Sequence, residues 1–118
     1  MANENDALLE LASGLNRAVS SFDLNGAAIL KAAFEDGGDR EVAAVLEAVQ
    51  DLRDARWELI LRKLDTTAAG FDALAKDAEA ETAKLDRSIR DFQAASDIIN
   101  TAAGIINIVG RILIRFGV

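Results

Sequence analysis

No proline occurs anywhere in the 118 residues, and from Arg40 to Ala69 there is no glycine either. Proline in a helix interior costs about 3 kcal/mol and glycine about 1 kcal/mol relative to alanine, so their absence removes the usual helix breakers. Ala, Leu, Asp, Glu, Lys and Arg dominate the composition, all compatible with helix. Counting in sevens from Trp57 meets Leu64, Phe71, Ala78, Leu85, Phe92, Ile99, Ile106 and Leu113, every one apolar. The interleaved positions, Ile60, Thr67, Leu74, Glu81, Ser88, Ala95, Ala102, Val109 and Phe116, weaken in the middle, where Thr82 and Ile89 take over from Glu81 and Ser88. Such a repeat predicts bundle or coiled-coil-like packing through a helical seam of Trp57, Ile60, Leu64, Phe71, Leu74, Leu85, Ile89 and Phe92.

The N-terminal part follows the same logic. Leu8, Leu11, Ala12, Leu15, Ala18, Val19 and Phe22 form one apolar stripe, with Asn5 or Asp6 able to cap the helix. Asp23-Leu24-Asn25-Gly26 reads as a turn and Glu35-Asp36-Gly37-Gly38 as a break. Val42, Val45, Leu46, Val49 and Leu52 make a seam that shifts phase near Arg53 to Arg56 before resuming at Trp57. The spacing predicts helices over about 6–22, 26–35, 40–65 and 70–116 in one all-helical domain, 1–118. Asp65-Thr66-Thr67-Ala68-Ala69-Gly70 is the expected turn of a helical hairpin. An unbroken helix from 40 to 116, about 110 Å at 1.5 Å per residue, is the alternative.

Composition excludes several classes. With 51% apolar and 28% charged residues the chain is not compositionally disordered. It has no His, Cys or Tyr, which removes disulfides, thiolate metal sites and the commonest acid–base groups. Glu35, Asp36, Asp39 and Glu41 cluster around two glycines but lack the spacing of a calcium loop. The serines have no Gly-x-Ser-x-Gly elbow, and no phosphate-binding glycine run is present. No enzymatic activity, cofactor, metal site or small-molecule substrate is expected. Trp57 stands in Trp57-Glu58-Leu59 rather than in a Trp-x-Gly turn, and reads as a core or interface anchor. Charged pairs at helical spacing, Glu58/Arg62, Asp72/Lys76, Asp86/Arg90 and Arg87/Asp91, read as a solvated face.

The charge is uneven. Residues 1–56 hold 5 Lys/Arg against 11 Asp/Glu, residues 57–97 hold 6 against 9, and residues 98–118 hold two arginines and no acid, within a net charge of −7. An acidic body repels phosphate backbones, so nucleic acid is not an expected partner. The acid-free tail needs surroundings without water. Ile98, Ile99, Ile105, Ile106, Ile108, Val109, Ile112, Leu113, Ile114 and Phe116 cover most of its circumference and are the expected oligomer or membrane interface; Asn100, Gly104, Asn107, Arg111 and Arg115 form a narrow polar stripe. Three environments would serve: other helices of this protein or of further copies, a membrane surface, or insertion as a pore lined by the stripe.

The leading expectation is an all-α helical bundle or long hairpin with a coiled-coil-like seam, a non-enzymatic structural or interaction protein that forms a homo-oligomer through seam and tail. A membrane-active protein using residues 98–118, and an adaptor or immunity-type protein binding one partner, are the alternatives. The first residues lack the basic and apolar regions of a cleaved signal peptide, so cytoplasmic synthesis is expected, with membrane association or signal-independent export left open.

Overall fold

The computed structural model describes residues 6–118, in which the chain is an all-α bundle. The proposed cap at Asn5 lies outside the described residues. Three helical elements follow in order: α1 Asp6–Leu61, α2 Phe71–Arg90 and α3 Ala95–Phe116. α1 is two helices in space, because Gly38 has φ 68 and ψ −156 and divides it into arms 6–37 and 39–61. In an unbroken helix, residues 23 and 53 would lie about 45 Å apart. Instead Arg53 Nη2 reaches Asp23 Oδ1 at 2.6 Å, and those two residues are placed symmetrically about Gly38. The arms therefore fold back on one another.

α2 runs beside the first arm, where Ser21 Oγ donates to Asp86 Oδ1 at 2.7 Å and a methyl group of Thr82 lies close to Gly14. α3 returns antiparallel to α2, so that Phe71 at the start of one meets Phe116 at the end of the other, ring centroids 5.4 Å apart and nearly perpendicular. The four rods thus alternate in direction, an up-down-up-down bundle of 46 × 26 × 19 Å. The connection from 62 to 70 is tied to the C-terminus by backbone. Asp65 N–H donates to the Phe116 carbonyl (2.8 Å), Val118 N–H to the Lys63 carbonyl (3.0 Å), and Leu64 forms an antiparallel bridge with Gly117.

One core runs the length of the rods. The first arm buries Leu11, Leu15, Ala18, Phe22, Ile29 and Ala33; the second buries Val45, Val49, Leu52, Ala55 and Leu59. α2 adds Phe71, Ala75, Ala78, Leu85 and Ile89, and α3 adds Ile98, Ala102, Ile105, Val109, Ile112 and Phe116. Alanine is frequent at these positions, which lets the rods approach closely. The buried hydroxyl of Thr82 is satisfied within its own helix by the Ala78 carbonyl at 2.7 Å.

The element boundaries differ from the periodicity reading in four places. The turn expected at Asp23–Gly26 is continuous helix, because Phe22, Gly26, Ile29 and Ala33 occupy one buried row and a break would pull that row apart. Asn25 is accommodated by donating its side-chain amide to the Ser21 carbonyl (2.8 Å). The break expected over Glu35–Gly38 is concentrated at Gly38, and the helix expected over 40–65 ends at Leu61. The helix expected over 70–116 is interrupted at 91–94: Asp91 leaves helical geometry at φ −106, ψ 55, and Ala94 is extended. No strong breaker marks this stretch. Burial decides it, since only a reversal there lets α3 lay its apolar face on the core that α2 shares. The alternative of a single helix from 40 to 116 is thereby overturned by the reversals at 62–70 and 91–94.

Candidate interaction surfaces

α3 is the only described helix long and apolar enough, by length and composition, to cross a membrane; a core helix of a soluble bundle meets the same description. Of the ten apolar positions expected at an interface, Ile98, Ile105, Val109, Ile112 and Phe116 are buried in the bundle. Ile99, Ile106, Ile108 and Leu113 are half-buried on its flanks, and Ile114 is 87% exposed. The polar stripe faces outward: Asn100, Asn107, Arg111 and Arg115 are exposed and Gly104 half-buried. Arg111 Nε donates to Asn107 Oδ1 at 3.1 Å, so the stripe is braced along its own helix. In this arrangement its members line the outside of the bundle, and the interior is packed with aliphatic side chains.

The expected seam divides. Phe71, Leu85 and Ile89 are buried, and Leu64, Leu74 and Phe92 pack against the core from its edge. Trp57 and Ile60, expected in the seam, are 53% and 47% exposed. The second arm carries two stripes, and the phase shift inferred near Arg53–Arg56 is a step from one to the other. The inner stripe, Val45, Ala48, Val49, Leu52, Ala55 and Leu59, continues in phase and builds the core. The outer one, Leu46, Trp57 and Ile60, lies roughly 120° round the helix at 100° per residue. Leu59 belongs to the inner stripe because Ala55 bridges Leu52 to it at spacings of three and four, a signal that large side chains alone conceal.

Beside Trp57, a 240 Å³ recess is lined by Asn16, Val19, Ser20, Asp23, Arg53 and Arg56. The Arg56 guanidinium sits 5.7 Å from the indole centroid, and its Nε has no hydrogen-bond partner among the described residues. A wider groove of 600 Å³ between the first arm and α2 sets Glu10, Glu79 and Asp86 against Arg17, Lys76 and Arg87. Its charges alternate in sign, and the one hydroxyl at its floor, that of Thr82, is already bonded to backbone. Of the four charged pairs expected along the helices, Glu58–Arg62 (2.8 Å) and Asp86–Arg90 (3.2 Å) form ion pairs. The acidic cluster Glu35, Asp36, Asp39 and Glu41 surrounds the Gly38 reversal at one end of the bundle.

At the opposite end the chain places exposed apolar residues that periodicity did not single out. Leu61 and Val118 are exposed there, brought near Ile114 by the backbone bonds between 63–65 and 116–118. Both lie at the ends of helical elements, where a stripe count no longer says which face is covered. The chain matches no protein-family model, no curated protein and no solved structure at a significant level.

Proposed function

We propose that this protein is a non-enzymatic interaction module that assembles with further copies of itself through the outer stripe of its second arm. The supporting observation is Trp57, the only tryptophan, half exposed beside Ile60 on a bundle whose core closes without either. Tryptophan is enriched among the residues that dominate interface energies, and a large indole left in water on a well-packed helix is surface awaiting a partner. Leu46, three turns back on the same stripe and also exposed, extends the patch along the rod. α3 contributes little to this contact, because its widest apolar face is occupied within the bundle.

Light scattering on purified protein, comparing the wild type with the Trp57→Ser/Ile60→Ser variant, tests the reading. The wild type is expected to form a defined oligomer and the variant a monomer with an unchanged helical circular dichroism spectrum. A monomeric wild type, or an oligomer indifferent to both substitutions, rejects it.

A further inference from the structure

Where the connection 62–70 meets the C-terminus, the molecule carries a surface unlike the rest of it. Backbone hydrogen bonds hold Lys63 beside Val118 and Asp65 beside Phe116. Around this junction stand three exposed apolar side chains, Leu61, Ile114 and Val118. Interspersed with them are Lys63, Arg111 and Arg115, none of which makes an ion pair among the described residues. Arg115 is positioned by its own neighbour, its guanidinium 5.1 Å from the Phe116 ring centroid. Among the described residues, acids carried by the elements at this end are Asp6, Glu10, Glu58, Asp65 and Asp72. Glu58 is paired with Arg62, and Asp65 accepts from the Thr67 amide (3.2 Å) and hydroxyl (2.7 Å). In a chain of net charge −7, a corner combining cations that are unpaired among the described residues with exposed aliphatic side chains runs against the whole.

We propose that this corner docks the closed bundle on a lipid surface rich in anionic headgroups. Charge complementarity selects the occupant. A second copy meeting the corner brings three like cations as well as its Asp65 and Asp72 to Lys63, Arg111 and Arg115, whereas an anionic leaflet presents only the opposite charge to all three. The apolar side chains enter the headgroup boundary while the cations stay at phosphate level, the division of labour of an interfacial helix. Carboxylates farther than about 10 Å from the lipid are screened at 0.1 M salt, so the acidic body limits the interaction without cancelling it. Docking leaves α3 where it is, because its buried face already has partners in α1 and in α2, Phe71 among them. The corner adjoins the outer stripe of the second arm but does not depend on it.

Flotation of the full chain with phosphatidylcholine vesicles, with and without phosphatidylglycerol, tests the proposal. Binding is expected only with phosphatidylglycerol and should weaken as salt rises. Each of Lys63→Ala and Arg111→Ala should lower the partition coefficient about fivefold, and the double variant about 25-fold, from roughly 1 kcal/mol per cation near an anionic surface. Ile114→Ser should weaken binding too; all three side chains are exposed, so helicity serves as the folding control. Trp57→Ser/Ile60→Ser protein should still float, which separates failure of docking from failure of self-association. Equal binding to neutral vesicles, no binding, or a double variant that binds like the wild type overturns the proposal. So does an oligomer that Ile114→Ser dissociates without any lipid binding, since a second copy would then be the occupant. Amides of Ile98 to Ile112 should keep their hydrogen-exchange protection on vesicles; their loss would mean that α3 leaves the bundle and would overturn closed docking.

Discussion

Gly38 turns the first 56 helical residues into two antiparallel rods, and it does so at φ 68, ψ −156, a region open essentially to glycine alone. A Cβ at this position would meet no neighbouring atom within 4 Å, so the constraint is conformational rather than one of space. Gly38→Ala is expected to cost about 1–3 kcal/mol in a urea titration; a loss below about 0.5 kcal/mol, the level of an ordinary surface substitution, would mean the reversal has other support. The leucines of the first arm show how much a side chain's azimuth matters. Leu15 is fully buried and Leu24 faces water. The same change to alanine should cost about 2–5 kcal/mol at Leu15 and within about 0.5 kcal/mol of nothing at Leu24, measured by chemical denaturation.

At the scale of the element, α3 shows how an apolar helix can be reserved for a water-free place inside its own molecule. Its buried row, Ile98, Thr101, Ala102, Ile105, Val109, Ile112 and Phe116, lies where α3 meets α1 and α2. Each large aliphatic side chain buried there contributes roughly 1.5–3 kcal/mol of transfer free energy, and marginally stable domains have few such contributions to lose. Deleting residues 98–118 should therefore abolish the cooperative heat-absorption peak in calorimetry, because Phe71, Ala75, Ala78 and Leu85 would lose their cover. A truncated chain that still melts cooperatively would show that α1 and α2 form a stable body alone. The same reasoning makes point substitutions on the exposed rows, rather than truncation of the tail, the proper probes of association and lipid binding.

Across the whole molecule, the −7 charge is spread over the outward faces of the rods, with the acidic reversal at Gly38 at one end and the cationic, apolar junction at the other. Self-repulsion of the body favours solubility, and the outer stripe and the junction are the places where that repulsion is locally relieved. Much of this was legible in the residues. The absence of proline and the 3.6-residue period determined that the chain is helical, and the stripes of the first arm and of α3 named most of their own core residues, Leu11, Leu15, Ile98, Ile105 and Ile112 among them. The glycines at 37–38 and 70 marked two of the three reversals, because backbone conformation at glycine is a local property. What periodicity could not decide was which of two apolar stripes on the second arm faces inward, whether Asp23–Gly26 bends, and that Asp91–Ala94 must turn. Each of those is settled by burial shared among rods distant in the chain: the inner stripe wins because its alanines let the rods close, Gly26 stays helical because its row is covered, and the turn at 91–94 forms because α2 and α3 have only each other and α1 to exclude water from their apolar faces.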